Sequence, residues 1–318
     1  MGALLLWGYK TAENRAPAML SASTMKVHVH LGVHKTATTF IQSQLHDNRS
    51  LLAEGNVGFA GIWAIRRQFT NSFDRLSWFD PVWSKVTRPQ LASKLDVVLA
   101  NHRKARTFIL SDENLLGLIS TNYWLGRLYP RAGGRVRILE SLLRGYDTRY
   151  FLAIRRYPDY LTSSWLQLAS RGKAPPFEKY RARFAPEKRG WAEVVESIAR
   201  ACGPERLTVW TYDWFCADPA RVFDLLAPGI RFAVPEEELR RDVLPSLTLK
   251  GLKVITQLED HLSQDELKRL SRLIRTFPFD EPNPRLEISD AGLLAAYEDK
   301  YRSDLERIGA LGVALHAE

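Results

Sequence analysis

Between Lys26 and Phe40 the chain passes from a β-branched run, Lys26-Val27-His28-Val29-His30-Leu31, through Gly32 into Val33-His34-Lys35-Thr36-Ala37-Thr38-Thr39, a loop with one lysine and three hydroxyls. Apolar residues then recur at Ile41, Leu45 and Leu52, near helical spacing, and Gly55 supplies a C-terminal stop. Strand, tight loop, helix is the order in which phosphate-binding loops are built. Backbone N–H groups at the helix N-terminus face the anion, the helix dipole favours it, and the lysine adds a point charge. The nucleotide-triphosphatase pattern G-x-x-x-x-G-K-[ST] is absent, because Lys35 follows Gly32 by three positions and Ala37 stands two beyond it. Taken alone, the stretch also fits a solvated turn.

The rest of the chain decides what kind of sheet this strand joins. Asn56 to Phe59, Arg106 to Ser111, Arg149 to Ile154 and Leu207 to Tyr212 are further strand-like runs. Segments such as Gln90 to Lys104 and Gly190 to Cys202 are long enough for crossover helices. Strands separated by helical crossovers predict an α/β fold, a P-loop NTPase-like parallel sheet flanked by helices on both faces. From Pro235 onward no clear strand is visible, and a helical C-terminal part is expected. The length of 318 residues suggests two domains on average, but α/β folds often run longer as one. One domain over residues 25–318 is expected, preceded by a flexible extension over residues 1–24, whose apolar run Leu4-Leu5-Leu6-Trp7 is too short for a signal sequence.

Composition narrows the class of protein. With 45% hydrophobic and 25% charged residues, disordered, collagen-like and coiled-coil chains are excluded. Two cysteines, Cys202 and Cys216, are too few for a disulfide framework or a cysteine-rich zinc module. No apolar run approaches the ~18 residues of a membrane span, and a cytoplasmic location is expected. The net charge of +9 calls for an anionic partner. Nucleic acid, an acidic membrane surface, an acidic polysaccharide and a phosphorylated cofactor all satisfy it.

In parallel sheets of this kind the ligand lies beyond the carboxyl ends of the strands. After the fourth run stand Arg155-Arg156-Tyr157-Pro158-Asp159, with Pro158 and Asp159 suited to a helix's first turn and Leu161, Trp165 and Leu168 forming an apolar stripe. An arginine at the strand end is thus followed, two helical turns on, by a serine. Arg155 with Ser163 and Arg156 with Ser164 are equally spaced, eight positions apart. After the third run comes Ser111-Asp112-Glu113-Asn114, which offers carboxylates at the same edge, or simply a cap for the next helix.

His34-Lys35-Thr36-Ala37-Thr38-Thr39 resembles the 5′-phosphosulfate loop of sulfotransferases that use 3′-phosphoadenosine-5′-phosphosulfate (PAPS), which usually reads (H/P)-K-(S/T)-G-T-T. Ala37 stands in place of the usual glycine and makes the backbone less permissive. The resemblance extends over roughly residues 26–225, with weaker likenesses at Thr211 to Phe215 and at Asp218-Pro219. It implies transfer of a sulfuryl group from PAPS to a hydroxyl or amine, leaving adenosine 3′,5′-bisphosphate, with no metal required. By the same resemblance Lys35 contacts the 5′-phosphate and bridging oxygen, and Thr36, Ala37, Thr38 and Thr39 supply backbone and hydroxyl donors. That family holds the 3′-phosphate with an arginine and a serine eight positions apart. Asp159 matches the family's acidic residue if the pair is Arg155 and Ser163, whereas Pro158 matches its proline if the pair is Arg156 and Ser164. Glu113 corresponds to the glutamate base of the family's S-S-E segment, with Asp112 as its understudy and His34 as a rival. The acceptor is then a small molecule or a glycan, acidic or neutral, and nucleic acid is not the expected partner. A P-loop kinase using ATP and magnesium, and a non-catalytic nucleotide- or polyanion-binding module, are the alternatives.

Four further features have two readings each. His28 and His30 share one face of a strand and are expected to be packed or surface histidines rather than a zinc pair. The basic run from Arg171 to Arg189 is a solvated face or an anionic acceptor groove. The aromatic segment Trp63 to Trp83, with Phe69, Phe73, Trp78 and Phe79, lines an acceptor cleft or belongs to the core. Lys250-Gly251 resembles a cofactor-binding Lys/Arg-Gly pair of the same family.

Overall fold

Tyr150-Phe151-Leu152-Ala153-Ile154 is apolar without alternation, as a strand covered on both faces must be. In the structure, a computed structural model, it lies in the middle of a six-stranded sheet. The structure describes residues 25–172, 174–232, 247–276 and 286–317, so the extension expected over residues 1–24 lies outside the described residues, as does Lys173 of the basic run. The strands are β1 (Lys26–His30), β2 (Val57–Phe59), β3 (Thr107–Ser111), β4 (Asp147–Ile154), β5 (Leu207–Thr211) and β6 (Ala314–His316). Their order is β2-β3-β1-β4-β5-β6 and every neighbouring pair is parallel, which bears out the α/β expectation.

Two expectations need correction. The chain after Pro235 is helical in Leu249–Leu258, Gln264–Arg275 and Ala291–Gly309, but it also ends in a strand. β6 is three residues long, pairs with Thr208 to Trp210 of β5, and is delivered there by helix Ala291–Gly309; a run that short carries no periodicity to read. The crossover helix expected from Gln90 to Lys104 runs instead from Asp80 to Ala100, through Pro89. Its buried stripe of Thr87, Leu91, Leu95 and Val98 continues past the proline, and Asp80 fastens its first turns by accepting from Thr87 Oγ1 and Arg88 Nε at 3.1 and 2.9 Å. Burying that stripe outweighs the cost of the proline, about 3 kcal/mol.

Period two along β1 divides its side chains between two cores. Val27 and Val29 join the larger one with Leu110, Leu152 and Ile154. His28 and His30 point into the smaller one, against Phe151 and Trp210. His28 donates from Nδ1 to the Leu226 carbonyl at 2.8 Å, and His30 Nδ1 meets Ser111 Oγ at 2.8 Å. Burial lowers His28 and pushes His30 down to about 4, so His30 is a neutral, packed side chain.

From β1 the chain moves to the β2–β3 side of the sheet, and from β4 it moves to the β5 side. The switch point therefore lies between β1 and β4, and their carboxyl ends open a crevice there. His30 is in register with Ser111 on one side and Phe151 on the other, which brings the ends of β1, β3 and β4 to the same edge.

Candidate functional site

The loop after β1 is held in an unusual backbone conformation. Gly32, Lys35 and Ala37 have φ of 50°, 70° and 60°, all in the left-handed region. Left-handed residues interspersed through a short loop turn successive N–H groups to one side, making an anion-binding nest. Ala37 is the N-cap of helix Thr38–Asp47 and offers no side-chain oxygen to it, so the first-turn N–H groups face outward without a cap. A Cβ at Gly32 would stand 3.1 Å from the Thr38 side chain, and its left-handed φ disfavours any side chain there. Two of the three expected hydroxyl donors serve the loop itself: Thr36 Oγ1 and Thr38 Oγ1 both donate to the Val33 carbonyl, at 2.6 and 3.2 Å. Thr39 is exposed on the first turn, and Lys35 is half-buried.

His34 is clamped from three sides. Its backbone N–H donates to the Tyr129 hydroxyl at 3.1 Å, which leaves that hydroxyl's own hydrogen for His34 Nδ1 at 2.9 Å. Nε2 then carries the ring proton and donates it to Asn114 Oδ1 at 3.2 Å. Burial lowers its pKa, so His34 is a neutral ring with both nitrogens engaged, which suits holding the loop better than taking a proton. Tyr129, itself at φ 39°, had no sequence signal.

At the end of β3 the two carboxylates divide in role. Asp112, whose side chain has no solvent exposure, caps the short turn Glu113–Leu115 by accepting from Asn114 N at 3.0 Å. Arg66 grips it twice, Nε to Oδ2 at 3.1 Å and Nη2 to Oδ1 at 2.9 Å. The same Nη2 reaches Glu113 Oε1 at 2.8 Å, and Gln42 Nε2 approaches Glu113 Oε2 at 3.4 Å and Ser111 Oγ at 3.3 Å. Glu113 keeps 18% of its side chain exposed and its Cα lies 3.7 Å from where a Gly32 Cβ would stand, so it borders the loop. Burial favours its neutral acid, but the Arg66 guanidinium opposes this by its charge and its hydrogen bond, and the shift of Glu113 is downward. For Asp112, burial prevails over the pull of Arg66 and the shift is upward. Neither Arg66 nor Gln42 was singled out from sequence. Arg66 opens a π-helical turn, Arg66–Thr70, a wide form that often marks functional positions.

At the end of β4, Arg155 crosses the switch point and donates from Nη1 to the Lys35 carbonyl at 2.8 Å. Its guanidinium lies 4.2 Å from the centre of the Tyr212 ring, and its buried Nε has no hydrogen-bond partner among the described residues. Ser163, in helix Tyr157–Ala169, is buried and its hydroxyl bonds to no described residue. The alternative pair is engaged elsewhere. Arg156 donates to Asp213 Oδ2 at 3.0 Å with half its side chain exposed, and Ser164 Oγ donates to the Tyr160 carbonyl at 2.6 Å and meets the Tyr180 hydroxyl at 2.8 Å.

In the basic run Arg171, Lys179 and Lys188 are exposed, while Arg181, Arg183 and Arg189 are half-buried and engaged. Arg181 pairs with Glu178, Arg183 donates to the Trp124 carbonyl at 3.3 Å over the Tyr123 ring, and Arg189 donates to the Leu128 carbonyl at 2.9 Å. Arg183 and Arg189 thereby stitch segment 177–190 to segment 123–128. The aromatic segment splits: Phe69 and Phe73 are core, while Trp63, Trp78, Phe79 and Trp83 are exposed. Gly251 is buried against Ile274 in helix Leu249–Leu258, where it serves packing. Cys202 and Cys216 are free thiols. Among the described residues no three His, Cys, Asp or Glu side chains are grouped to hold a metal, and no helix is long and apolar enough to cross a membrane.

No protein-family model matches the chain, and no curated protein matches its sequence. Among solved structures it has a distant likeness, TM-score 0.38 at 13% identity, to the sulfotransferase domain from the curacin biosynthetic pathway, over 88% of this chain and 96% of that one.

Proposed function

We propose that the chain is a sulfotransferase that moves a sulfuryl group from PAPS to a hydroxyl or amine on a small molecule or glycan, with residues 25–318 acting as one catalytic domain. The observation that carries this is Arg155: a second cation held against the loop by the Lys35 carbonyl, with a buried Nε that no described residue satisfies. A ligand with phosphate at both ends accounts for an uncapped helix N-terminus and an orphaned guanidinium N–H in one crevice. PAPS, when bound, supplies the activated sulfuryl group and a phosphate leaving group. The N–H groups of residues 36–39 and the Lys35 ammonium would stabilise charge on the departing phosphate oxygen, a task that calls for fixed donors and no metal. Arg155 and Ser163 would hold the 3′-phosphate. Glu113, ionised at neutral pH, would take the acceptor's proton at the β3 edge.

The kinase alternative is less well supported, since it would need the β3 carboxylates on magnesium and both are bound by Arg66. Isothermal titration separates the readings. Adenosine 3′,5′-bisphosphate should bind without metal and more tightly than ADP with magnesium; the reverse order restores the kinase. Glu113→Gln should slow transfer by about 10²–10⁴-fold while sparing bisphosphate binding, and unchanged turnover removes Glu113 as base. Tight bisphosphate binding with no sulfate transferred to a broad acceptor panel would mean a binding module without turnover.

A further inference from the structure

Helix Asp80–Ala100 has a second apolar side besides the one it buries. Over the residues leading into it and its first two turns stand Trp78, Phe79, Val82, Trp83 and Val86, exposed to 44%, 54%, 80%, 60% and 52%. All five stand within nine residues, before and after a break in the helix at Trp83 (φ −113°, ψ 30°), and so form a short exposed ridge on this one segment. Single exposed apolar residues are ordinary, but five large ones in a row are a patch that a water-facing surface does not explain.

The ridge is rigidly mounted. Arg131 lies 4.3 Å from the Trp78 ring centre and donates to the Ser77 carbonyl at 2.5 Å. Arg135, nearly fully buried, ties Ser77 Oγ at 2.8 Å to the carbonyls of Asn114 and Leu115, both at 2.8 Å. The patch is thus braced to the turn that begins at Glu113.

The outward charge of the segment that carries the ridge has one sign. Both acids of residues 63–89 are paired, Asp80 with Arg88 at 2.9 Å and Asp74 with Arg135 of helix Ala132–Leu142 at 3.1 Å. The exposed charged side chains of that segment are Arg67, Arg75 and Lys85, all cations. A second copy of this chain would bring like charges together, in a molecule already at +9. A peptide partner needs a groove or a free strand edge, and an outward helical ridge is neither. Tryptophan and phenylalanine flanked by lysine and arginine match the headgroup–acyl boundary of an anionic bilayer, where rings sit at the interface and cations meet lipid phosphate and carboxylate. We propose that this ridge docks the protein on the surface of an anionic lipid bilayer, with Trp78, Phe79, Val82 and Trp83 entering the interface and Lys85 on the headgroups.

The docking is independent of what the crevice catalyses and is tested without any substrate. The full chain should co-sediment with vesicles of phosphatidylcholine containing about 30% phosphatidylserine, shift its tryptophan emission to the blue, and bind vesicles of phosphatidylcholine alone far more weakly. Val82→Glu/Trp83→Glu, both at exposed positions, should lower partitioning by more than about tenfold with an unchanged melting temperature. Lys85→Glu, which alters charge alone, should weaken binding to the anionic vesicles and leave binding to neutral ones unaltered. No binding by the wild type, or equal binding by the double variant, overturns the proposal. A concentration-dependent dimer that the double variant abolishes, without vesicle binding, assigns the ridge to a second copy and overturns it equally.

Discussion

Replacing Arg66 by leucine would leave the Asp112 carboxylate, with no side-chain exposure, lacking all three of the hydrogen bonds it accepts from that guanidinium. Removing one partner of a buried pair costs about 3–5 kcal/mol, because the remaining charge is stranded. Arg66 is itself 25% exposed, so water entering the vacated space lowers the expected loss to about 2–3 kcal/mol. The loss should depend on pH. Burial already raises Asp112 above 3.8, and losing Arg66 removes the hydrogen bonds and charge of its guanidinium that oppose that rise. The folded variant then binds a proton that the unfolded chain has released, so its stability is greatest below about pH 4 and falls as pH climbs through the raised folded value. At pH 8 the variant should melt about 4–8 °C below the wild type, and at pH 4.5 the gap should shrink to about half or less. Thermal melts of both proteins at the two pH values give the comparison directly. The double variant Arg66→Leu/Asp112→Leu removes the stranded charge and should recover most of the deficit at pH 8. A gap that is equal at both pH values, or a double variant no more stable than the single one, would refute the assignment of Asp112 as a buried, Arg66-dependent anion.

Ala37→Gly should raise the melting temperature by about 1–2 °C, since a left-handed φ of 60° costs alanine about 1–2 kcal/mol and glycine gives back only part of that in unfolded-chain entropy. Ala37→Val should lower it, and a destabilised glycine variant would contradict the loop's backbone conformation. Ser164→Ala should destabilise by about 1–3 kcal/mol, because it strands the buried Tyr180 hydroxyl, without altering affinity for adenosine 3′,5′-bisphosphate. Ser163→Ala should melt normally and bind that ligand about tenfold more weakly by titration calorimetry; the opposite pattern returns the 3′-phosphate site to Arg156 and Ser164.

What was legible in the sequence was local. The loop, its lysine and its helix lie within 22 residues, and a strand's end is marked by the residues that stop it, as at Gly32 and Arg155. The β3 and β4 edges could be inspected before the fold was seen because a parallel sheet fixes which end carries ligand. The parts that tune those residues are distant in sequence. Arg66 meets Glu113 across 47 positions, Gln42 across 71, and Tyr129 meets His34 across 95. No spacing rule covers such pairs. Arg66 also sits in a segment whose aromatics dominate its appearance, and only folding shows that Phe69 and Phe73 turn inward while Arg66 turns onto β3. Nor did the sequence show that Arg156 is engaged by Asp213 while Arg155 is held by the Lys35 carbonyl, contacts across 57 and 120 positions.

Charge is where sequence and structure diverge most instructively. The run from Arg171 to Arg189 concentrates cations in sequence, yet Arg181, Arg183 and Arg189 are turned onto Glu178 and onto the carbonyls of Trp124 and Leu128. Their charge is answered by carboxylate and peptide dipoles, which leaves them poorly placed to draw an acidic acceptor. The segment from Trp63 to Pro89 is mixed in sign on paper, but its acids are paired with Arg88 and Arg135, so its outward charge is positive. A surplus of +9 is therefore best read after each acid has been matched to the base it touches. By that reckoning the segment that carries the tryptophan ridge, braced to Glu113, shows unmatched positive charge, while three arginines of the long basic run are bound into the scaffold.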